Sequence, residues 1–484
     1  MIVRPLVRHL GALSLITLLA ACTTVGPDYA RPDDATINRS DAQAPFTSIP
    51  ATSDRAGPGP LALAPLPDHW WKLYNDATLD ALIERAFARN TDLRVAQANL
   101  EKVQAQLQDA RAAAQPSIGV NAQPGFGHAS GVSALAPDAR PSDHFSYSTG
   151  ATVSYAVDLF GQIRRAEEAA QGDTQAAQAA LQAVRVNIAA ETTRAYADAC
   201  AAGMQLADAR HSVDIQKESL SVTTRLLQAG RGTRLDTTRA QAQLDQLRAA
   251  LPPFEAQRRV ALFRLATLTG DVPGAFPTAL AQCSAPPALA QAIPVGDGAA
   301  LLARRPDVRQ AERELAAQTA RIGVATADLY PKISLGLSGQ SAGPMNMIGE
   351  RGTYSWSLGP LISWTLPNTG AAQARIAQAE AATRASAARF DGVVLTALRE
   401  TETALTQYGQ QLERDASLKA ARDDSAQAAD QARTLFKNGR TDYLTVLDAE
   451  RTLAQNQSQW AASRAALTDQ QIAIFLALGG GWTE

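Results

Sequence analysis

Five histidines and three cysteines are the residues of this 484-residue chain best equipped for metal binding, nucleophilic attack or redox exchange. Their spacing points to none of these. His9, His69, His128, His144 and His211 are scattered, and no HExxH, CxxC, Walker loop or nucleophile elbow occurs. His128 and His144 flank a predicted loop and offer a metal pair in principle; a solvated loop is the reading adopted. GFGHASG (125–131) is glycine-rich, but it sits between a strand and a loop, not ahead of a helix, so it lacks the helix N-terminus that holds phosphate. No metal, no cofactor and no enzymatic activity are expected. Cys200 lies in an alanine-rich helical run and Cys283 near a junction between repeats. Two isolated buried thiols are expected in preference to a bridge, although the compartment would allow one.

The third cysteine carries different chemistry. Arg4, Arg8 and His9 precede the apolar run LGALSLITLLAA and then Cys22, the pattern of a secretory leader over residues 1–21. LAAC (19–22) resembles the bacterial lipobox, which makes Cys22 the acylated first residue of the mature protein; Thr23 follows it, which fits sorting to the outer membrane. One acylated residue tethers a protein without spanning a bilayer. The net charge of −2 shows no basic surplus, so nucleic acid is not an expected partner. No mature stretch is long and apolar enough for a spanning helix, so any membrane crossing must use another structure.

Behind these residues stands a duplicated framework. Residues 22–68 form the anchor and a proline-rich spacer. RNTDLRVAQANLEKVQAQLQDARAAAQPSI (89–118) aligns with RRPDVRQAERELAAQTARIGVATADLYPKI (304–333). LLQAGRGTRLDTTRAQAQLDQ (226–246) aligns with LFKNGRTDYLTVLDAERTLAQ (435–455). A first repeat over 69–276, a linker over 277–296 and a second repeat over 297–484 follow. Each repeat reads helix, β-hairpin (117–159 and 332–366), very long helix, glycine turn and return helix. In the hairpins Ile118, Val120, Tyr147, Val153, Leu335, Leu337, Trp356 and Leu358 alternate with Ser, Thr, Gly and Asn. Such alternation is the pattern of a membrane barrel, apolar toward lipid and polar toward a wet lumen. Four strands cannot close, and an open edge in lipid is costly, so strands from several chains must share one barrel. Two chains would give a plugged barrel; an open pore needs three or more.

No proline occurs between Ser142 and Leu251, or anywhere after Asn368. Helices of roughly 65 residues, about 100 Å long, are therefore predicted, with alanine permitting close coiled-coil-like approach. The predicted fold class is mixed α+β: four strands per chain in a shared barrel, continued by long helices. Gly230 with Arg231, and Gly439 with Arg440, end the long helices, glycine supplying a left-handed cap.

CTTVGPDYARP (22–32), WWKLYNDATLDALIERA (70–86), VDLFGQIRRAEEAA (157–170) and the paired turns AGRGTRLDTTRAQ and NGRTDYLTVLDAE resemble the TolC-like outer membrane factors. The likeness is to the lipoprotein branch (NodT/OprM type) that serves resistance-nodulation-division efflux pumps, and it covers essentially the whole mature chain. The resemblance implies a homotrimer with a 12-stranded barrel, a helical periplasmic tunnel and an equatorial collar near residues 70–80, 271–298 and the C-terminus. There Pro252 and Pro253 would break a return helix. It implies as partners a periplasmic adaptor (membrane fusion protein), an inner-membrane efflux transporter and outer-membrane lipid. The cargo it implies is small molecules such as drugs and toxic organics. The family's YLxVLDAE pattern falls on Tyr443–Glu450, which makes Leu444 and Asp448 the periplasmic gate, with Asp236 as a secondary polar link. Gly230, Arg231, Gly439 and Arg440 become the adaptor-docking tips. Three carboxylates converging on one axis would repel one another and bias a narrow pore toward cations. The rival reading is a structural or adhesive coiled-coil lipoprotein with no conduit.

Overall fold

A computed structural model describes residues 24–48, 60–128, 130, 142–276, 280, 282–289, 291–364 and 369–480. Cys22, the expected acylation site, lies outside the described residues. In chain order the main elements are α1 (Ala77–Arg89), α2 (Thr91–Ala112), β1 (Ser117–Gly127), β2 (His144–Val157), α3 (Gln162–Gln228), α4 (Arg234–Ala249), α5 (Leu251–Leu268), α6 (Gly298–Arg304), α7 (Pro306–Ala327), β3 (Lys332–Pro344), β4 (Tyr354–Ser363), α8 (Thr369–Lys437) and α9 (Tyr443–Ala477). The described residues divide into two compact units, one formed by those within 24–32, 100–177 and 311–390, the other by the remaining described residues. Among the described residues no helix is long and apolar enough to cross a membrane.

The first unit holds the four strands β1–β4, while the second has a two-residue parallel pairing of Leu61–Ala62 with Ile293–Pro294. The four form one antiparallel sheet in the order β1-β2-β3-β4, so β1 and β4 each keep one backbone edge unpaired within the described chain. Register sorts the two faces. Ile118, Val153, Leu337 and Leu358 run side by side across the sheet, as do Val120, Ala151, Gly339 and Trp356. The opposite face carries the rows Gly119, Thr152, Ser338, Ser357 and Asn121, Gly150, Gln340, Ser355. Val120 and Trp356 are each 78% exposed, so this unit leaves its apolar face uncovered.

Two details depart from the alternation. β2 stops at Val157, because Asp158 turns its carboxylate to the first amides of α3, at Ile163 (3.1 Å) and Arg164 (2.9 Å). Tyr147, expected on the outward apolar face, is 7% exposed; its hydroxyl meets Ser341 Oγ at 2.9 Å, and Ser341 meets Thr353 of the β3–β4 connection at 2.9 Å. A phenol that can bond two hydroxyls loses nothing by burial.

The second unit contains the aromatic core. Trp70 is fully buried and stacks on Phe475 with centroids 4.5 Å apart, beside Trp71, Tyr74, Leu79, Ile83, Leu265 and Ile472. Pro252 and Pro253 occupy the first turn of α5, where their missing N–H groups cost nothing, and α4 ends just before. The expectation of two isolated thiols is corrected here: Cys200 and Cys283 are joined by a disulfide, Cα to Cα 4.8 Å across a separation of 83 residues. Gly203 explains how. A Cβ there would lie 2.1 Å from the Cys283 carbonyl oxygen, so only glycine, one turn beyond Cys200, lets the linker lie flat on α3.

α3 and α8 run unbroken for 67 and 69 residues. Their hydrophobic content is mostly alanine, which loses no side-chain entropy in a helix and keeps neighbours close.

Candidate functional site

The two glycine turns that end α3 and α8 adopt one backbone solution. Gly230 (φ 71°) donates its amide to Leu227 O (3.0 Å), and Arg231 donates to Leu226 O (2.8 Å). Gly439 (φ 68°) donates to Phe436 O (3.0 Å), and Arg440 to Leu435 O (2.8 Å). These crossed bonds satisfy carbonyls that a helix end leaves orphaned. A Cβ on either glycine would meet nothing within 4 Å, so the positive φ alone demands glycine.

The following helices start by opposite assignments of the same pair. Before α4, Thr233 is the cap and Asp236 answers it: the Asp236 amide donates to Thr233 Oγ1 (3.2 Å), and its carboxylate accepts from the Thr233 amide (3.0 Å). Before α9, Asp442 is the cap and Thr445 donates to it from amide (2.9 Å) and hydroxyl (2.7 Å). Those hydrogen bonds hold the Asp442 carboxyl below its ordinary pKa. Asp236, a candidate gate residue, is thus closed onto its own helix, and Asp442, which takes the cap position that Thr233 holds in the first copy, was not singled out by sequence.

Behind the turns α4, α8 and α9 pack through Ala240, Ala432, Tyr443 and Val446. The Tyr443 hydroxyl lies 3.0 Å from Ser219 Oγ on α3, and Gln216 donates to the Ala240 carbonyl (3.0 Å). Arg433 Nε donates to Glu450 Oε1 at 2.9 Å. Burial pushes both the Tyr443 hydroxyl and the Glu450 carboxyl above their ordinary pKa values, in Glu450 against the opposing pull of Arg433. A groove of about 630 Å³ opens here, lined by Leu226, Arg231, Phe436, Gly439, Thr441 and Val446 among others.

Leu444 and Asp448 sit on the other face of α9, one turn apart. They line a separate depression of about 790 Å³ with Asp424, Ser425 and Thr452. Leu444 is 50% exposed, and the Asp448 carboxylate accepts from Arg451 Nη2 at 2.7 Å. The structure brings these two together; Asp236 does not line that depression. Tyr443, Ser219, Arg433 and Glu450 escaped the sequence reading as a group. The signal was present: Tyr443, Val446 and Glu450 fall at i, i+3 and i+7, one stripe of a helix.

The outer membrane efflux protein family matches residues 82–271 and 299–480. Outer membrane protein OprJ of Pseudomonas aeruginosa is 30% identical over 481 residues, 98% of this chain and 96% of that protein. Nodulation protein T of Rhizobium leguminosarum bv. trifolii is 28% identical over 471 residues, 96% of each. The solved structure of the outer-membrane channel OprN is similar at a TM-score of 0.85, with 35% identity over 95% of this chain and 100% of that one. This chain belongs to the outer membrane efflux protein family.

Proposed function

We propose, with that membership as premise, that three copies of this internally duplicated chain form a passive outer-membrane duct anchored by an acyl group on Cys22. The duct carries small molecules, such as drugs and toxic organics, from an inner-membrane transporter and a periplasmic adaptor to the exterior. The observation that supports this most is the sheet. One face is apolar and exposed, the other small and polar, and both outer strands have a free edge. Lipid suits the first face and water the second. A like strand from a neighbouring copy suits each edge, because an unpaired edge in hydrocarbon costs several kcal/mol per group. Twelve strands from three chains then enclose an open pore.

In this reading the exposed Leu444 and Asp448 converge from three copies to narrow the periplasmic mouth, with Asp236 stiffening the neighbouring turn. Gly230, Arg231, Gly439 and Arg440 form the tips that meet the adaptor, beside the groove under Gly439. Purified protein in planar bilayers is expected to give single-channel conductance, raised severalfold by Asp448→Ala or Leu444→Ser. A native mass of one chain in the extracted membrane form, or no conductance from trimers of either variant, would sink the proposal.

A further inference from the structure

We infer that the first unit carries a built peptide-binding slot whose ligand is the chain's own segment Thr24–Arg31. The segment acts as a strap across the two halves of that unit. Three glycines make the slot. Gly161 (φ +79°) opens α3, and a Cβ there would lie 2.3 Å from Thr24 Cγ2. Gly26 (φ +86°) rests on Gly323 of α7, and a Cβ on Gly26 would come within 2.4 Å of the Gly323 Cα. A Cβ on Gly323 would in turn lie 2.8 Å from the Val25 carbonyl oxygen. No other residue type fits these three positions at once, whereas a tail merely lying on a surface makes no such demand.

Arg165 reads the strap's main chain. Its side chain is 4% exposed, and most of its donors point at the strap: Nε to Val25 O (3.1 Å), Nη2 to Gly26 O (3.1 Å) and Nη2 to the Asp28 carboxylate (2.7 Å). Nη1 goes to Glu168 (2.7 Å). The Val25 amide donates to Phe160 O (3.1 Å) and Arg164 donates to the Thr24 hydroxyl (3.1 Å). Farther along, Arg31 pairs with Glu312 (2.8 Å), and the Arg313 guanidinium lies 5.8 Å from the Tyr29 ring centre. The slot therefore takes a peptide that bends at a left-handed glycine two residues ahead of a carboxylate, here Val25-Gly26-Pro27-Asp28. It is assembled from α3 of the first repeat and α7 of the second. Thr24 is held against the residue that opens α3, four residues past the end of β2, so the strap fixes its own beginning at the foot of the sheet. Only this last consequence, the placing of a lipid, rests on Cys22 being acylated; the docking does not.

The test is chymotryptic cleavage after Tyr29 in the full-length, membrane-extracted protein, followed by intact mass. Wild type should resist. Arg165→Met removes the reader and Gly26→Val blocks the fit from the strap side, leaving the body untouched. Each should speed cleavage at least about tenfold, the change expected when charge-assisted bonds to a docked segment are lost and cleavage follows the open population. Cys22→Ser should cleave at the wild-type rate. Rapid cleavage of wild type, or unchanged rates in both slot variants, overturns the inference, and so does release of the strap by Cys22→Ser alone. The mass of the wild-type N-terminal peptide reports acylation separately. An unmodified cysteine would refute the anchor while the slot stands or falls on the cleavage rates.

Discussion

The turn at 229–233 and the turn at 438–442 share a backbone and differ in almost everything that could act. Both have a left-handed glycine with the same crossed hydrogen bonds, and both start the next helix with a Thr/Asp pair, in opposite order. Past the cap the chemistry diverges. Where the first copy has Arg234, Arg239 and Gln241, the second has Tyr443, Asp448 and Glu450. Two of those three tie α9 to its neighbours, Tyr443 to Ser219 and Glu450 to Arg433, while Asp448 stays exposed. The geometry of a turn is thus a backbone problem with interchangeable answers. What distinguishes the two tips must therefore reside in their side chains.

The largest expected contrast lies in the buried pair. Glu450→Ala strands Arg433 and should cost the second tip about 2 kcal/mol, less than a wholly enclosed pair because Arg433 is 35% exposed. The aligned Gln241→Ala, on an exposed site, should cost under about 0.5 kcal/mol. Hydrogen exchange of the tip amides measures both, and equal losses would erase the asymmetry. Next, Gly230→Ala and Gly439→Ala should each cost about 1–2 kcal/mol, the same within error, since only φ is at stake. A clear difference would show that one turn is braced by something besides its backbone. Smaller still, Thr233→Ala should cost about 1 kcal/mol, Asp442→Ala should lower tip protection in the same direction, and the exchange Thr233→Asp with Asp236→Thr should be near neutral.

The subtlest effect is in pH. Because burial raises the Glu450 carboxyl, the folded tip takes up that proton at higher pH than the unfolded chain does. Its contribution is therefore fully present below the ordinary carboxylate pKa and is lost as pH rises through the raised value. Tip exchange protection in wild type should follow that direction, and Glu450→Gln should flatten it.

The strands and turns were legible because each rests on a local rule: period-two alternation for Ile118 to Phe126, and a left-handed residue for Gly230 and Gly439. What stayed hidden depends on long-range approach. Nothing near Cys200 or Cys283 in sequence announces that they meet; Gly203 in an alanine-rich helix was the one trace. Tyr147 obeyed the alternation and was still buried, because a connection from β3 supplied hydroxyls. Asp236 drew notice for its charge, whereas its local role is to answer the Thr233 cap from the first turn of α4; in the other copy the carboxylate has moved to the cap itself, at Asp442. Arg165 stood inside a quoted motif, VDLFGQIRRAEEAA, but its ligand lies about 140 residues upstream.

The sulfur bridge gives the two turns unequal fates under a protease. Residue 230 falls inside the covalent ring closed by Cys200 and Cys283; residue 439 falls outside it. A single nick at the first turn leaves both fragments chained together, and they travel as one species until a reductant is added. A nick at the second frees everything beyond it from covalent attachment, the whole of α9 included.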